Sequence, residues 1–240
     1  MLLNPSQTDD RQGAIGLAPV TVDAGLRAYM LRVYGYMSGA LAVTGVVALY
    51  AVSSGLYQAI ANTPFFWLVV LAPLALVFFL SFRIDAISTG TAQAVFWAYA
   101  ALMGLSLGGI FLMYTGESIA RTFFIAAGTF AGISIYGYTT KTDLTRFGSF
   151  LIMGLWGLII ASLVSLFWAS SALQFAISVI GVVVFVGLTA YDTQRLKELY
   201  FADGTAAMGT KTAIIGALTL YLDFINLFLM LLRLFGQRRD

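Results

Sequence analysis

Asp223 lies in the middle of a long apolar stretch, where a charged side chain is unusual. It is eleven residues after Thr212 and ten before Arg233. At this depth in a bilayer an ionised side chain costs at least about 2.5 kcal/mol, so such residues face the inside of a helix bundle and bind protons or ions. We therefore expect Asp223 to be a buried functional or paired carboxyl; the alternative is a tolerated structural one.

Asp192 lies where the preceding apolar stretch gives way to the basic residues Arg195 and Lys197. If the helix ends there, Asp192 is an interfacial charge. If the helix continues to about Leu199, Asp192 lies two turns inside it. In an antiparallel hairpin with the last apolar stretch, it then reaches the depth of Asp223 to within about one turn. The sequence leaves both alternatives open.

A contact between the two aspartates would have a definite chemistry. Two carboxyls in contact cannot both ionise cheaply, so they share a proton and titrate as a unit. Deprotonation would charge the site, draw in water or a cation, and loosen the hairpin. Carboxylate oxygens are also the ligands that Ca²⁺ prefers. Two of them make a weak site, as permeation requires, so Asp192 and Asp223 are candidate metal ligands for weak Ca²⁺ binding at most.

Two further residues are candidates for supporting roles. Asn226 is three residues after Asp223 and therefore lies on the same face of the helix. Arg83 closes the second apolar stretch, on the same side of the membrane as Asp192. Arg83 is either a counter-charge that holds the aspartate site shut or an anchor at the cytoplasmic surface.

The residue types that are absent exclude several kinds of site. The chain has no cysteine and no histidine, which removes disulfides, thiol nucleophiles and most zinc or copper sites. It also removes the usual switch at neutral pH. The net charge of +2 is too small to indicate a nucleic-acid partner. We expect no cofactor, with Ca²⁺ present only as a permeant ion.

The composition indicates a membrane protein. Hydrophobic residues make up 60% of the chain and charged residues 10%, against about 25% charged residues in soluble domains. A bilayer accommodates this much apolar surface. We expect a polar N-terminal tail over residues 1–32 and one transmembrane domain over residues 33–240, with lipid as its main partner.

Charges and turn residues divide the transmembrane domain into seven apolar segments, each long enough for one helix. The predicted fold class is therefore an all-α integral membrane protein with seven transmembrane helices. The predicted spans are residues 33–58, 65–82, 91–114, 121–138, two segments between 147 and 191 that are divided at 169–171, and 212–235.

Lysine and arginine in the connections predict a cytoplasmic N-terminus. This orientation places nine basic residues inside and four outside. The basic tail Arg238-Arg239 disagrees, since it would then lie outside; a re-entrant last segment would bring it inside. The inner residues are Arg11, Arg27, Arg32, Arg83, Lys141, Arg146, Arg195, Lys197 and Lys211, and the outer ones are Arg121, Arg233, Arg238 and Arg239.

Two segments are the most specific in the chain: Leu220–Phe228, which reads LYLDFINLF, and Tyr191–Gln194, which reads YDTQ. With several supporting segments, they resemble the Bax inhibitor-1 (transmembrane Bax inhibitor motif) family, in its bacterial branch. The resemblance covers nearly the whole chain. Supporting segments are residues 114–118, 137–144, 148–154 and 231–236.

The resemblance implies a last helix that is central and wrapped by the other six. It also implies a pH-sensitive calcium leak, which would lie in the bacterial plasma (inner) membrane. The paired aspartates of the family match Asp192 and Asp223, and an arginine of its second span is best matched by Arg83. The short basic tail is unlike the tails of animal members, so regulation of cell death is not carried over.

Two other functions compete with the leak. Intramembrane aspartyl proteases also place Tyr-Asp on one helix and Asp on the next, but they need Gly-x-Gly-Asp at the second position, where this chain has Tyr221-Leu222-Asp223. We therefore do not expect an enzyme. The alternative that remains is a membrane interaction protein that regulates quality control or proteolysis through membrane-protein partners. Small-residue motifs such as Gly104-x-x-x-Gly108 indicate internal helix packing, which favours a monomer.

Overall fold

The structure is a computed structural model that describes residues 6–168, 170–202 and 209–239, with side chains described for 24–168, 170–200 and 209–239. Residues 1–5 of the expected polar tail lie outside this part. The described residues form eight helices: α1 (Ser6–Ser53), α2 (Leu56–Ala61), α3 (Phe65–Arg83), α4 (Thr89–Met113), α5 (Gly116–Thr139), α6 (Thr145–Phe167), α7 (Ser171–Ala202) and α8 (Thr210–Phe235).

Seven of the helices in the described residues are long and apolar enough to cross a membrane, which confirms the predicted number. They are α3 to α8 and the part of α1 over Ala24–Ser53. The short α2 follows Gly55, whose φ of 75° lies in the left-handed region that glycine adopts readily. The predicted break at Asn62-Thr63-Pro64 separates α2 from α3.

Helix α1 begins before the predicted start of the first span at Val33. Leu26 and Met30 are buried like Val33, whereas Arg27 between them is exposed. These buried positions follow the three-to-four-residue repeat of one helix face. The end of the segment expected as a polar tail, residues 24–32, therefore belongs to the packed helix. A single arginine on the outer face does not interrupt such a helix.

The last helix is the most buried of the seven spans. In its most apolar window 72% of the residues are buried, against 44% for α7 and less for the others. It packs against α1, α4, α5 and α7, whereas α6 packs mainly against α7. The wrapping of α8 by all six other spans is therefore not confirmed.

Helix α8 is one continuous helix of 26 residues, about 39 Å long at 1.5 Å per residue. It crosses the whole bundle and is not a re-entrant hairpin. The backbone N–H of Thr115 donates to the Gln237 carbonyl at 3.0 Å, and that of Arg239 donates to the Met113 carbonyl at 2.9 Å. The last residues therefore lie at the same end of the bundle as the α4–α5 turn.

We call the opposite end of the bundle the basic end. It contains the α3–α4 and α5–α6 connections, the end of α7 and the start of α8, and side chains join these elements. Lys197 Nζ donates to the Tyr138 carbonyl at 2.8 Å, and Lys211 Nζ donates to the Asp85 carbonyl at 3.4 Å. The basic residues at this end are Arg83, Lys141, Arg146, Arg195, Lys197 and Lys211.

The small-residue motifs differ in what they contact. A Cβ at Gly104 would lie 2.6 Å from the Thr44 carbonyl oxygen, so glycine lets α4 approach α1 closely there. A Cβ at Gly128 or Gly132 on α5 would meet nothing within 4 Å. The expected internal packing therefore applies to the α4 motif and not to the α5 motif.

Candidate functional site

Asp192 on α7 and Asp223 on α8 meet inside the bundle, as the hairpin argument predicts. A side-chain hydrogen bond joins the two carboxyls. Their exposed fractions are 9% and 5%. Ionised carboxylates only accept hydrogen bonds, so a bond between two carboxyls requires one proton. The two buried carboxyls, which we call the aspartate pair, are therefore placed to share a proton.

The length of α7 brings the pair together. The helix does not end at Asp192 but continues to Ala202. Asp192 lies ten residues before that end, about 15 Å, and Asp223 lies thirteen residues after Thr210, about 20 Å. The two carboxyls therefore lie at similar depths on antiparallel helices. Of the two alternatives for Asp192, the interfacial charge is wrong.

Cations do little to neutralise the aspartate pair. Within the described residues, Asp223 Oδ2 is buried and has no hydrogen-bond donor. The ion pair found among those residues is Arg121 with Glu117, on the exposed start of α5. A buried carboxylate without a partner is costly. A proton shared between the two carboxyls would therefore be the main compensation for their burial.

Arg83 is not in contact with the aspartate pair. It is exposed at the end of α3, and its side chain makes no hydrogen bond or ion pair with described residues. The cation that interacts electrostatically with Asp192 is Arg195, one helical turn further along α7. Its spacing of three residues after Asp192 was the sequence signal for this role.

Asn226 does not join the aspartate pair either. Its Nδ2 donates to the Leu222 carbonyl of its own helix at 2.8 Å, and the side chain is half-buried. Asn226 shares a helix with Asp223 but binds the backbone one turn back. The structure thus brings two of the four candidate site residues together.

The residues after Asp192 hold the α5–α6 loop against α7. Gln194 Oε1 accepts a hydrogen bond from the Leu144 backbone N–H at 2.8 Å, and its Nε2 donates to the Thr142 carbonyl at 2.8 Å. Lys197 lies over the Tyr138 ring, 5.5 Å from its centroid. We call the two Gln194 bonds the loop clamp. Gln194 belongs to the YDTQ segment, but its partners lie about fifty residues earlier in the chain, so the loop clamp was not predicted.

The residues before Asp192 pack closely against α5 and α6. A Cβ at Gly137 would overlap the Ala190 carbonyl oxygen, and a Cβ at Gly148 would overlap the Tyr191 ring. Two glycines therefore let α7 approach both neighbours within one turn of the aspartate pair. This close packing fixes the position from which Asp192 reaches α8.

A second buried polar cluster lies on the α8 turn before Asp223. Thr44 Oγ1 donates to the Ala100 carbonyl at 2.9 Å and lies 2.7 Å from the Tyr221 hydroxyl. The Tyr99 and Tyr221 rings meet edge to face with centroids 5.3 Å apart. This cluster connects α1, α4 and α8. It was not predicted from the sequence, because three separate helices contribute to it.

On the C-terminal side of Asp223, helix α8 carries buried apolar side chains. Phe224, Ile225, Leu227 and Phe228 follow Asp223 and are all buried. A cation at the pair would therefore face an apolar barrier on that side.

Asp143 in the α5–α6 loop provides a contrast with the pair. Its Oδ1 accepts a hydrogen bond from the Thr145 backbone N–H at 2.8 Å, and its carboxyl is exposed. Hydrogen bonding to Thr145, assisted by the charge of Arg146, lowers the pKa of Asp143 below its usual 3.8. Asp143 is thus ionised throughout the range from about pH 5 to 8.

Clusters of metal ligands are not found in the described residues: no three acidic side chains come together there. The aspartate pair therefore offers a cation two carboxyl groups and no third. Such a ligand set is poor for storing a hard cation, which takes six to eight oxygen ligands in a tight site.

Comparisons with known proteins match the chain over most of its length. The family model described as "Inhibitor of apoptosis-promoting Bax1" matches residues 26–240. The chain is 53% identical over 223 residues to protein RP147 of Rickettsia prowazekii, covering 92% of this chain and 94% of the relative. It is 50% identical over 220 residues to the inner membrane protein YbhL of Escherichia coli K12, covering 90% and 94%.

A third similar protein, from Caulobacter vibrioides, is 47% identical over 237 residues and covers 93% of this chain and 94% of its own length. The matched region begins at residue 26, near the start of the first membrane-spanning helix, and contains the other six such helices of the described residues and both members of the aspartate pair. The protein is thus an integral membrane protein, and it belongs to the Bax inhibitor-1 family.

Proposed function

We propose that the protein is a pH-sensitive calcium leak of the membrane, gated by the proton that Asp192 and Asp223 share. The observation that carries the proposal is the contact of two buried carboxyls on neighbouring spans, one of them with an oxygen that lacks a donor among the described residues. Ionisable groups inside a membrane mark proton relays and ion pathways.

The gate works through the charge of the aspartate pair. With one shared proton, a hydrogen bond holds α7 against α8. Loss of that proton leaves two negative charges in contact, and at about 4 Å and an effective dielectric constant of about 20 their repulsion is about 4 kcal/mol. Water or a cation then enters between the helices to offset this repulsion. The leak should therefore increase as the pH rises.

The chemistry of the pair suits Ca²⁺ as the permeant ion. Ca²⁺ is a hard cation that prefers carboxylate oxygens, and two carboxylates bind it weakly enough for it to leave again. Ca²⁺ is the transported ion and not a resident cofactor. The proposal includes no catalytic step, so the protein would not be an enzyme, and it needs no protein partner.

Movement at the pair would also affect the basic end. The loop clamp connects α7 to Thr142 and Leu144 through Gln194, which lies two residues beyond Asp192 on α7. Separation of α7 from α8 would therefore move or break the clamp. We propose that the basic end faces the cytoplasm, because it holds most of the lysine and arginine. The inner-membrane location is supported by the similarity to the E. coli inner membrane protein YbhL.

The test is calcium entry into liposomes that contain the purified protein, measured from pH 5 to pH 8. We expect a protein-dependent leak that increases across this range. In Asp192→Asn or Asp223→Asn the pair can no longer become doubly charged, so the leak should lose its pH dependence. Asp143→Asn is the matched control, because this exposed loop carboxyl lies at the same end and should leave the pH profile unchanged.

Two results would contradict the proposal. A pH dependence that survives in both Asp192→Asn and Asp223→Asn would place the sensor elsewhere. If no flux exceeds that of empty liposomes at any pH, the interaction protein becomes the better proposal, with the aspartates as a structural pair. In that case the same variants should leave the biological effect of the protein intact.

A further inference from the structure

An elongated cleft opens between α1 and α5. α1 packs on α4 and α8, α5 packs on α7 and α8, and the two helices face each other across a cavity of about 1020 Å³. Phe224 of α8 contributes to its lining. We call this cavity the α1–α5 cleft; its lining includes Arg27, Tyr34, Leu41, Gly45, Phe130 and Phe224.

The cleft extends along most of the thickness of a membrane. On α1 its lining runs from Arg27 to Leu49, which is about 33 Å of helix and matches a hydrocarbon core of about 30 Å. A second cavity of about 370 Å³ shares Gly45 and Phe224 with it and continues to Gly116 at the start of α5. An occupant could therefore lie parallel to the helices.

The lining is apolar along its length and carries a cation at one end. Arg27 is exposed at the basic end of α1, and Tyr34 and Tyr138 also line the cleft. Ser134 lines it as well, and its Oγ is buried without a hydrogen-bond partner among the described residues. A ligand with an anionic end, adjacent oxygen atoms and a long apolar part would match this order of side chains.

We propose that the α1–α5 cleft binds an anionic phospholipid, with its phosphate at Arg27 and an acyl chain along the lining. Basic residues at the membrane surface attract anionic headgroups. The oxygens of the lipid can also supply the partner that Ser134 lacks. A transmembrane helix fits less well, because its backbone groups bond to one another and its apolar side chains offer neither an anion to Arg27 nor an acceptor to Ser134.

Headgroup binding is tested by replacing Arg27. The protein is reconstituted in nanodiscs of phosphatidylcholine and phosphatidylglycerol, and the lipids that stay bound after release are counted by native mass spectrometry. Arg27→Gln should lower the ratio of retained phosphatidylglycerol to phosphatidylcholine about two- to fivefold, as expected for an exposed ion pair. Arg32→Gln is the matched control, because Arg32 is also exposed on α1 but does not line the cleft.

Chain binding is tested by filling the cleft. Gly45 and Gly35 both lie on α1, and a Cβ at either would meet nothing within 4 Å, so both accept a side chain. Only Gly45 lines the cleft. A phosphatidylglycerol with a photoreactive acyl chain should crosslink to Phe130 and Phe224. Gly45→Leu should reduce the crosslinking several-fold, whereas Gly35→Leu should not.

Several outcomes would overturn the proposal. Equal lipid retention by Arg27→Gln and Arg32→Gln would mean that Arg27 binds no headgroup. Crosslinks distributed evenly over lipid-facing positions such as Trp156 and Phe150 would mean that the lipid is only part of the surrounding bilayer. Crosslinks in native membranes to another protein's helix would replace the lipid with a protein partner. Because these readouts measure binding and not flux, they are independent of the calcium-leak proposal.

Discussion

The hydroxyl groups of Thr44 on α1 and Tyr221 on α8 lie 2.7 Å apart in the buried centre of the bundle. Thr44 donates its own proton to the Ala100 carbonyl, so the Tyr221 hydroxyl is the donor between the two. One hydrogen-bonded chain therefore connects α8, α1 and α4, on the α8 turn that precedes Asp223.

The two ends of this chain should respond differently to substitution. Tyr221→Phe removes a donor and leaves Thr44 bound to Ala100, so it should lower the free energy of unfolding by about 0.6 kcal/mol, the average for hydrogen bonds between membrane helices. Thr44→Val leaves the Tyr221 hydroxyl buried without its partner and should cost about 1–3 kcal/mol. Unfolding in detergent micelles checks both, with Tyr50→Phe as the exposed control. Equal costs for the two variants would contradict the assigned direction.

Removal of the loop clamp should loosen the α5–α6 loop. Gln194→Ala leaves the Leu144 N–H and the Thr142 carbonyl without their partners. The amide hydrogens of Leu144 and of its neighbours in the loop should therefore exchange faster. Hydrogen exchange measured by mass spectrometry on the 137–144 segment checks this. Gln174→Ala, an exposed glutamine at the other end of α7, should leave the segment unchanged, and equal exchange in both variants would mean that the clamp carries no stability.

The aspartates should act as one unit. In Asp192→Asn or Asp223→Asn one carboxyl remains and the repulsion between two charges disappears, so the double variant should have the same pH-independent leak as either single variant. Residues that act independently would instead give additive effects. Calcium flux at pH 5 and pH 8 in the three variants measures the coupling. Additive changes would contradict a shared proton.

Gly137 should not tolerate a side chain. A Cβ there would overlap the backbone of Ala190, which cannot rotate away, so Gly137→Ala should destabilise the protein by about 1–3 kcal/mol. Gly128→Ala on the same helix meets open space and should be neutral, or stabilising by up to about 1 kcal/mol through helix propensity. Thermal unfolding of both variants in detergent checks the difference. If Gly128→Ala lowers the stability as much as Gly137→Ala, glycine matters for helix flexibility and not for the contact with Ala190.

Local patterns were sufficient to predict the spans and the depth of the pair. Runs without charge and the turn at Asn62-Thr63-Pro64 predicted seven helices, because an uninterrupted apolar segment of about 20 residues is stable in lipid only as a helix. Counting residues along antiparallel helices predicted that Asp192 and Asp223 reach the same depth if α7 continues past Asp192, as it does. The start of α1 was predicted too late because Arg27 lies on the outer face and ends no helix.

Contacts between distant segments were beyond such reasoning. Arg83 was chosen as the counter-charge because it lies at the right end of the bundle, but the end of a helix does not determine its position around the bundle. The structure leaves Arg83 exposed and brings Arg195 near Asp192 through the helix repeat itself. The loop clamp was missed for the same reason, since Gln194 and Leu144 are fifty residues apart in the chain.

By itself the sequence determined that the protein lies in a lipid bilayer, where its helices run, and which residues could hold a proton. Burial in lipid and helix length depend on composition and order along the chain. Only the tertiary structure decided which helix faces pack together. Packing depends on where small residues such as Gly104 and Gly137 let two backbones approach. The same choice of neighbours puts Asp192 against Asp223, assembles Thr44 with Tyr221, and leaves the α1–α5 cleft open.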